Sequence, residues 1–151
     1  MENQKYIDQA VTLALQNVED GGKPFGAVIV KGGKVVATGV NKAAQTGDLT
    51  SHAEMEAIRK ATQKRGEGSL KGATLYASGH PCPMCLSAIY LAGISEVYFS
   101  SDLDAAAEAG LGVSDIYKEL KRDPEDREIA LRKVKPSILK SPLQIWSNKE
   151  Q

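Results

Sequence analysis

A chain of 151 residues with 19 Lys+Arg against 19 Asp+Glu has no formal net charge, so it lacks the positive field on which phosphate-backbone binding draws. That length suits one domain with a sizeable core, and hydrophobic and charged fractions of 42% and 25% are ordinary for a globular protein. The polar start Met1-Glu2-Asn3-Gln4-Lys5 has no apolar h-region and no run approaches a membrane span, so a cytoplasmic protein with no membrane partner is expected.

Apolar residues at Tyr6, Ile7, Ala10, Val11, Ala14, Leu15 and Val18 recur at helical spacing, and the stretch from Glu19 to Pro24 stops that helix. Two β-branched runs, 26–31 and 34–39, are joined by Gly32-Gly33 and read as a hairpin. A second helix is expected from Ser51 to about Arg65, and its basic run (Lys60, Lys64, Arg65, then Lys71) reads as a solvated face and loop. A strand over 73–77, a helix from Pro81 to Ala92 ended by Gly93, and a strand over 96–100 follow. Helices over 114–121 and 142–148 and a strand over 129–134 complete the pattern. The order predicts an α/β fold with three layers, a mixed sheet between helices.

Two stretches carry the chemistry: His52-Ala53-Glu54 and Pro81-Cys82-Pro83-Met84-Cys85. Each has an ordinary reading. A Cys-x-x-Cys pair serves redox chemistry, half of a structural zinc site or a core. Glu54 stands three after Ser51, the spacing of a capping box. His52 alone reads as a polar surface residue. With only 2 Cys in the chain, four thiolates cannot meet within one subunit. Imidazole and two thiolates suit zinc, and three protein ligands leave a position open for water, the mark of a catalytic site. Zinc lowers the pKa of bound water towards about 7, and a carboxylate that is not a ligand can then carry protons. Cys82 and Cys85, three apart in a first helical turn, face one side, and a helix N-terminus stabilises thiolate. His-x-Glu followed by Pro-Cys-x-x-Cys marks the zinc-dependent base deaminases.

On these motifs the chain resembles the cytidine deaminase superfamily, and within it the bacterial guanine deaminases. Pro24 to Val30 looks like the family's first strand, Asn41 stands where the family keeps a substrate-binding asparagine, and the stretches 104–110, 116–119 and 141–146 resemble the guanine branch. The resemblance implies one catalytic domain over 1–151 with a five-stranded mixed sheet. It implies one Zn2+ per chain on His52, Cys82 and Cys85, with Glu54 shuttling protons to and from zinc-bound hydroxide. Phe25, Asn41 and Ala53 would meet the base, a small-molecule nucleobase, most readily guanine. No stable nucleic-acid binding is expected. A homodimer is implied, with the C-terminal helix in 137–151 exchanged between subunits. An aminopyrimidine, aminotriazine or nucleoside substrate is the alternative, ahead of a transfer-RNA adenosine deaminase or a non-catalytic zinc module.

Three departures fall at the pocket. The family's Cys-Glu before Pro-Cys is Gly79-His80 here. The guanine branch's acid near Val113 is absent, the nearest acid being Asp115. The branch's terminal aromatic is replaced by Asn148-Lys149-Glu150-Gln151. His80 and Asp115 are therefore the further candidates for substrate contact.

Overall fold

In the computed structural model, which describes residues 2–150, every residue of the strand Gly26–Lys31 (β1) except Lys31 is buried. Side chains alternate along a strand, so β1 supplies two cores at once. Ala27 and Ile29 pack on one face against Ala53, Ala57 and Ala61 of the helix Ala53–Arg65 (α3). Val28 and Val30 pack on the other against Tyr6 and Ala10 of the helix Glu2–Glu19 (α1). This is a sheet covered on both faces, as the sequence pattern predicts.

The sheet holds four strands in the order β2-β1-β3-β4, with β2 at Lys34–Val40, β3 at Thr74–Gly79 and β4 at Glu96–Ser101. β1 is antiparallel to β2 and β3, and β3 is parallel to β4. Parallel neighbours need a crossover, which the helix Pro83–Ala92 (α4) provides. The β1–β2 turn is Gly32-Gly33 with φ of 59° and 76°, both positive as a type I′ turn requires. Both flanking helices lie directly on glycine: a Cβ on Gly26 would run into the Ala10 carbonyl of α1, and one on Gly39 into the Ala53 carbonyl of α3. Gly39 thus seats the first turn of α3 on the sheet.

Several expected boundaries shift. Helices α3 and α4 begin two residues later than their sequence starts suggest, because His52 and Cys82 are extended N-cap residues outside the first turn (φ/ψ −75°/160° and −71°/169°). Three short elements carry no strong periodicity and emerge only in the structure: helices Ala43–Thr46 (α2) and Leu103–Glu108 (α5) and a 3-10 turn at Pro124–Asp126. The helix Ser114–Lys121 (α6) falls where its spacing places it.

Among the described residues the expected fifth strand is absent. Ile129–Val134 is irregular, with Ile129, Leu131 and Val134 exposed. The chain divides into two compact units, Met1–Lys118 and Glu119–Gln151. Within the second, the described regular elements are the 3-10 turn and the helix Pro142–Glu150 (α7). A run of this composition becomes a strand only when another strand completes its hydrogen-bond ladder, and the described residues of this unit offer none. No helix among the described residues is long and apolar enough to cross a membrane.

Candidate active site

Two helix starts converge. His52 caps α3 and Cys82 caps α4, while Cys85 sits in the first turn of α4 behind Pro83. Proline suits that position because its missing N–H has no intrahelical partner to lose. The Cys85 amide donates to the Cys82 sulfur at 3.5 Å. His52 Nδ1 lies 3.4 Å from Cys82 Sγ and 3.6 Å from Cys85 Sγ. Zinc bonds of about 2.0–2.1 Å to nitrogen and 2.3 Å to sulfur at tetrahedral angles put ligand N and S about 3.6 Å apart. The three donors therefore already stand at the spacing that zinc needs, all within 4.8 Å of one another.

Hydrogen bonding links the protonation of the three donors. The hydrogen bond from Cys85 and the neighbouring His52 hold the Cys82 thiol well below its ordinary value. The hydrogen bond to Cys82 and burial push the Cys85 thiol up. His52 is raised, chiefly by its hydrogen bond with Cys82. Zinc takes thiolate sulfur and neutral imidazole, so binding the ion would release protons from these groups.

Glu54 is 7% exposed and is not one of the clustered donors. Burial pushes its carboxyl up to about 7, near the value at which an acid–base catalyst works at neutral pH. The capping-box alternative fails on geometry: the Ser51 hydroxyl donates to Glu56 Oε2 at 2.9 Å, and Arg59 pairs with the same oxygen. Glu56 holds Ser51 and Arg59, while Glu54 lines the cavity beside Cys85.

That cavity, about 50 Å³, has His52, Glu54 and Cys82 in its lining. Phe25, Asn41, His80, Ala106, Leu111 and Val113 complete the lining. Buried Asn17 fixes the approach to Asn41 by donating to the Lys23 and Asn41 carbonyls at 2.7 and 2.8 Å. The Asn41 side-chain oxygen accepts from the Ala43 amide at 3.0 Å, leaving its NH2 to donate elsewhere. Burial raises the Tyr117 phenol to about 12, and its hydroxyl donates to the Pro81 carbonyl beside the ligands.

Of the candidates read from sequence, His52, Cys82, Cys85, Glu54, Phe25, Asn41 and His80 come together. Ala53 is fully buried under Gly39 and is not in the cavity lining. Asp115 is exposed in the first turn of α6 and lies outside the lining, where Val113 stands instead. Asn17, Ala106, Leu111 and Tyr117 escaped prediction. Only Ala106 and Tyr117 lie in stretches already set apart by their resemblance.

Residues 1–101 match the cytidine and deoxycytidylate deaminase zinc-binding region. Over 149 residues the chain is 44% identical to a guanine deaminase of Bacillus subtilis (strain 168), covering 98% of this chain and 96% of that protein. The X-ray structure of a Bacillus subtilis guanine deaminase superposes with a TM-score of 0.89 at 44% identity, covering 98% of this chain and 95% of that one. A tRNA-specific adenosine deaminase of Agrobacterium fabrum is 35% identical over 112 residues, 73% of this chain and 74% of that protein. With this donor set and these matches, the chain belongs to the cytidine and deoxycytidylate deaminase zinc-binding family. Its reaction class is hydrolytic deamination at a carbon–nitrogen bond, and its cofactor is zinc.

Proposed function

We propose that this protein hydrolyses the exocyclic amine of a free nucleobase, guanine first, to give xanthine and ammonia. One observation carries the reading: a buried carboxylate, Glu54, stands free beside a three-donor zinc cluster at the floor of a cavity. The name of the 44%-identical relative supports guanine as the first base to test.

His52, Cys82 and Cys85 would hold the zinc, which supplies a water activated as nucleophile. Glu54 would carry one proton from the attacking water to the ring nitrogen next to the amine-bearing carbon, and a second from the hydroxyl added at that carbon to the amine, so that ammonia leaves and the carbon keeps its oxygen as a carbonyl. Asn41 orients the base by donating from its NH2 group, and Phe25 packs beside it. The Ala53 backbone, at the start of α3, is a further contact in this reading. Asp115 is assigned none.

The reading extends to the assembly. Leu139, Leu143 and Trp146 are exposed, which suits a homodimer in which the 137–151 segment is exchanged and the whole of 1–151 acts as one catalytic domain. Two cysteines in metal-ligand spacing fit a reducing compartment and so a cytoplasmic enzyme, and balanced charge supports one that forms no stable complex with nucleic acid. A second reading keeps the chemistry and changes the base to an aminopyrimidine, an aminotriazine or a nucleoside. It is favoured by the apolar Val113 and by His80 in the wall.

Ammonia release from guanine, adenine, cytosine, isocytosine, ammeline and their nucleosides tests both. Guanine ranking first supports the first reading, another base the second. Release from none of them, by zinc-replete protein, overturns both.

A further inference from the structure

Among the polar side chains lining the cavity, His52 and Cys82 are committed to the ion and Glu54 to proton transfer. Two remain to read a base, Asn41 and His80. Because the Asn41 side-chain oxygen already accepts from the Ala43 amide, Asn41 offers the pocket a donor.

His80 offers the complement. Its Nδ1 lies 2.9 Å from the Pro81 carbonyl oxygen. A carbonyl only accepts, so Nδ1 carries the hydrogen, and in that tautomer Nε2 presents a lone pair. No hydrogen-bond partner holds Nε2 among the described residues. The ring is well braced. Phe99 packs on it with centroids 4.8 Å apart at 66°, and Tyr117 at 5.6 Å and 88°. The His80 amide donates to the Ser101 carbonyl at 2.8 Å, and the Tyr117 hydroxyl reaches the same Pro81 carbonyl as Nδ1. A side chain locked by packing and hydrogen bonds can fix a contact accurately. The other lining residues Ala106, Leu111 and Val113 bring no polar side chain to the cavity.

We propose that His80 is a specificity-determining residue whose Nε2 accepts a hydrogen bond from a ring N–H of the bound base, while Asn41 donates to an acceptor on the same base. This rests on the reading of the cavity as a nucleobase site, and narrows its substrate class. The base must be a neutral amino-heterocycle carrying both a ring N–H and an acceptor. A derivative methylated or glycosylated at that nitrogen loses the contact. A carboxylate in this place could take two parallel N–H groups, whereas a single imidazole nitrogen takes one.

The test compares wild type, His80→Phe and His80→Gln, all zinc-loaded and with zinc content measured. Ammonia release is followed on guanine and its 1-, 7- and 9-methyl derivatives, and on cytosine and 1-methylcytosine. Equilibrium binding of the same six compounds is measured in parallel. For the best parent base, His80→Phe should lower kcat/KM or affinity about 10- to 100-fold. The N-methyl derivative lacking the critical N–H should lose almost nothing, so the gap between the two closes. His80→Gln, which can present an amide oxygen, should reopen much of that gap. A merely structural role would lower all compounds together and would not be rescued in this selective way. Unchanged ranking in His80→Phe at full zinc content overturns the inference and leaves the deaminase reading standing. Selective binding without ammonia release does the reverse. Binding of no compound by wild type overturns both.

Discussion

The floor and the wall of the cavity are built by different rules. The floor is two helix N-termini carrying donors whose spacing a zinc ion dictates, with one buried acid beside them. The wall combines a strand end, loops and the segment around α5, and includes Ala106, Leu111 and Val113, which the chemistry does not constrain. Within the resemblance that identifies the family, the floor is intact while departures fall on the wall, at His80 and Val113. Bond-making tolerates little variation in geometry. Recognition of a base edge can be rebuilt by exchanging one polar contact for another, with large effects on selectivity.

Substitutions should separate the two regions. The largest effect is expected at the floor. Cys82→Ser should lose zinc, seen by metal analysis of purified protein, and turnover with it, because the ligand set and folding are coupled to the ion. A variant with full zinc would contradict the donor assignment. Next, Glu54→Gln should retain zinc and fold while kcat falls by roughly 10² to 10⁴. Near-normal turnover would return Glu54 to a structural part and leave the floor without its acid–base group.

Between floor and scaffold stands Gly39, whose Cβ-free face admits the start of α3. Gly39→Ala should push that turn outward, costing about 1–3 kcal/mol in a denaturant melt, the usual penalty of overpacking. It should also lower kcat more than it raises KM, since His52 and Glu54 move together. A variant as stable and active as the parent would show that the close approach is not needed to position them.

The smallest effect belongs to the wall. Val113→Asp would place an acid where the apolar wall now stands. It should change relative kcat/KM among bases by about tenfold, one charge-assisted hydrogen bond's worth, with zinc content unchanged. If it shifts zinc content instead of ranking, the two regions are not separable.

The sequence by itself determined the chemistry. His52, Glu54, Cys82 and Cys85 were legible because metal coordination and proton transfer demand particular residue types at short spacings, and the sheet's two-sided cover was legible in the period-2 and helical patterns. Tertiary structure decided what short-range pattern leaves ambiguous. It tied Ser51 to Glu56 and left Glu54 in the cavity. It set Val113 in the wall and left Asp115 exposed outside it, a difference of two residues that turns on where α6 begins. It brought Tyr117 across a long stretch of chain to the Pro81 carbonyl. It also withheld the fifth strand, since Ile129–Val134 has the composition of a strand but no ladder partner among the described residues of its own unit. Each of these outcomes depends on contacts between residues far apart in sequence, and composition and periodicity carry no record of which distant partner a segment will meet.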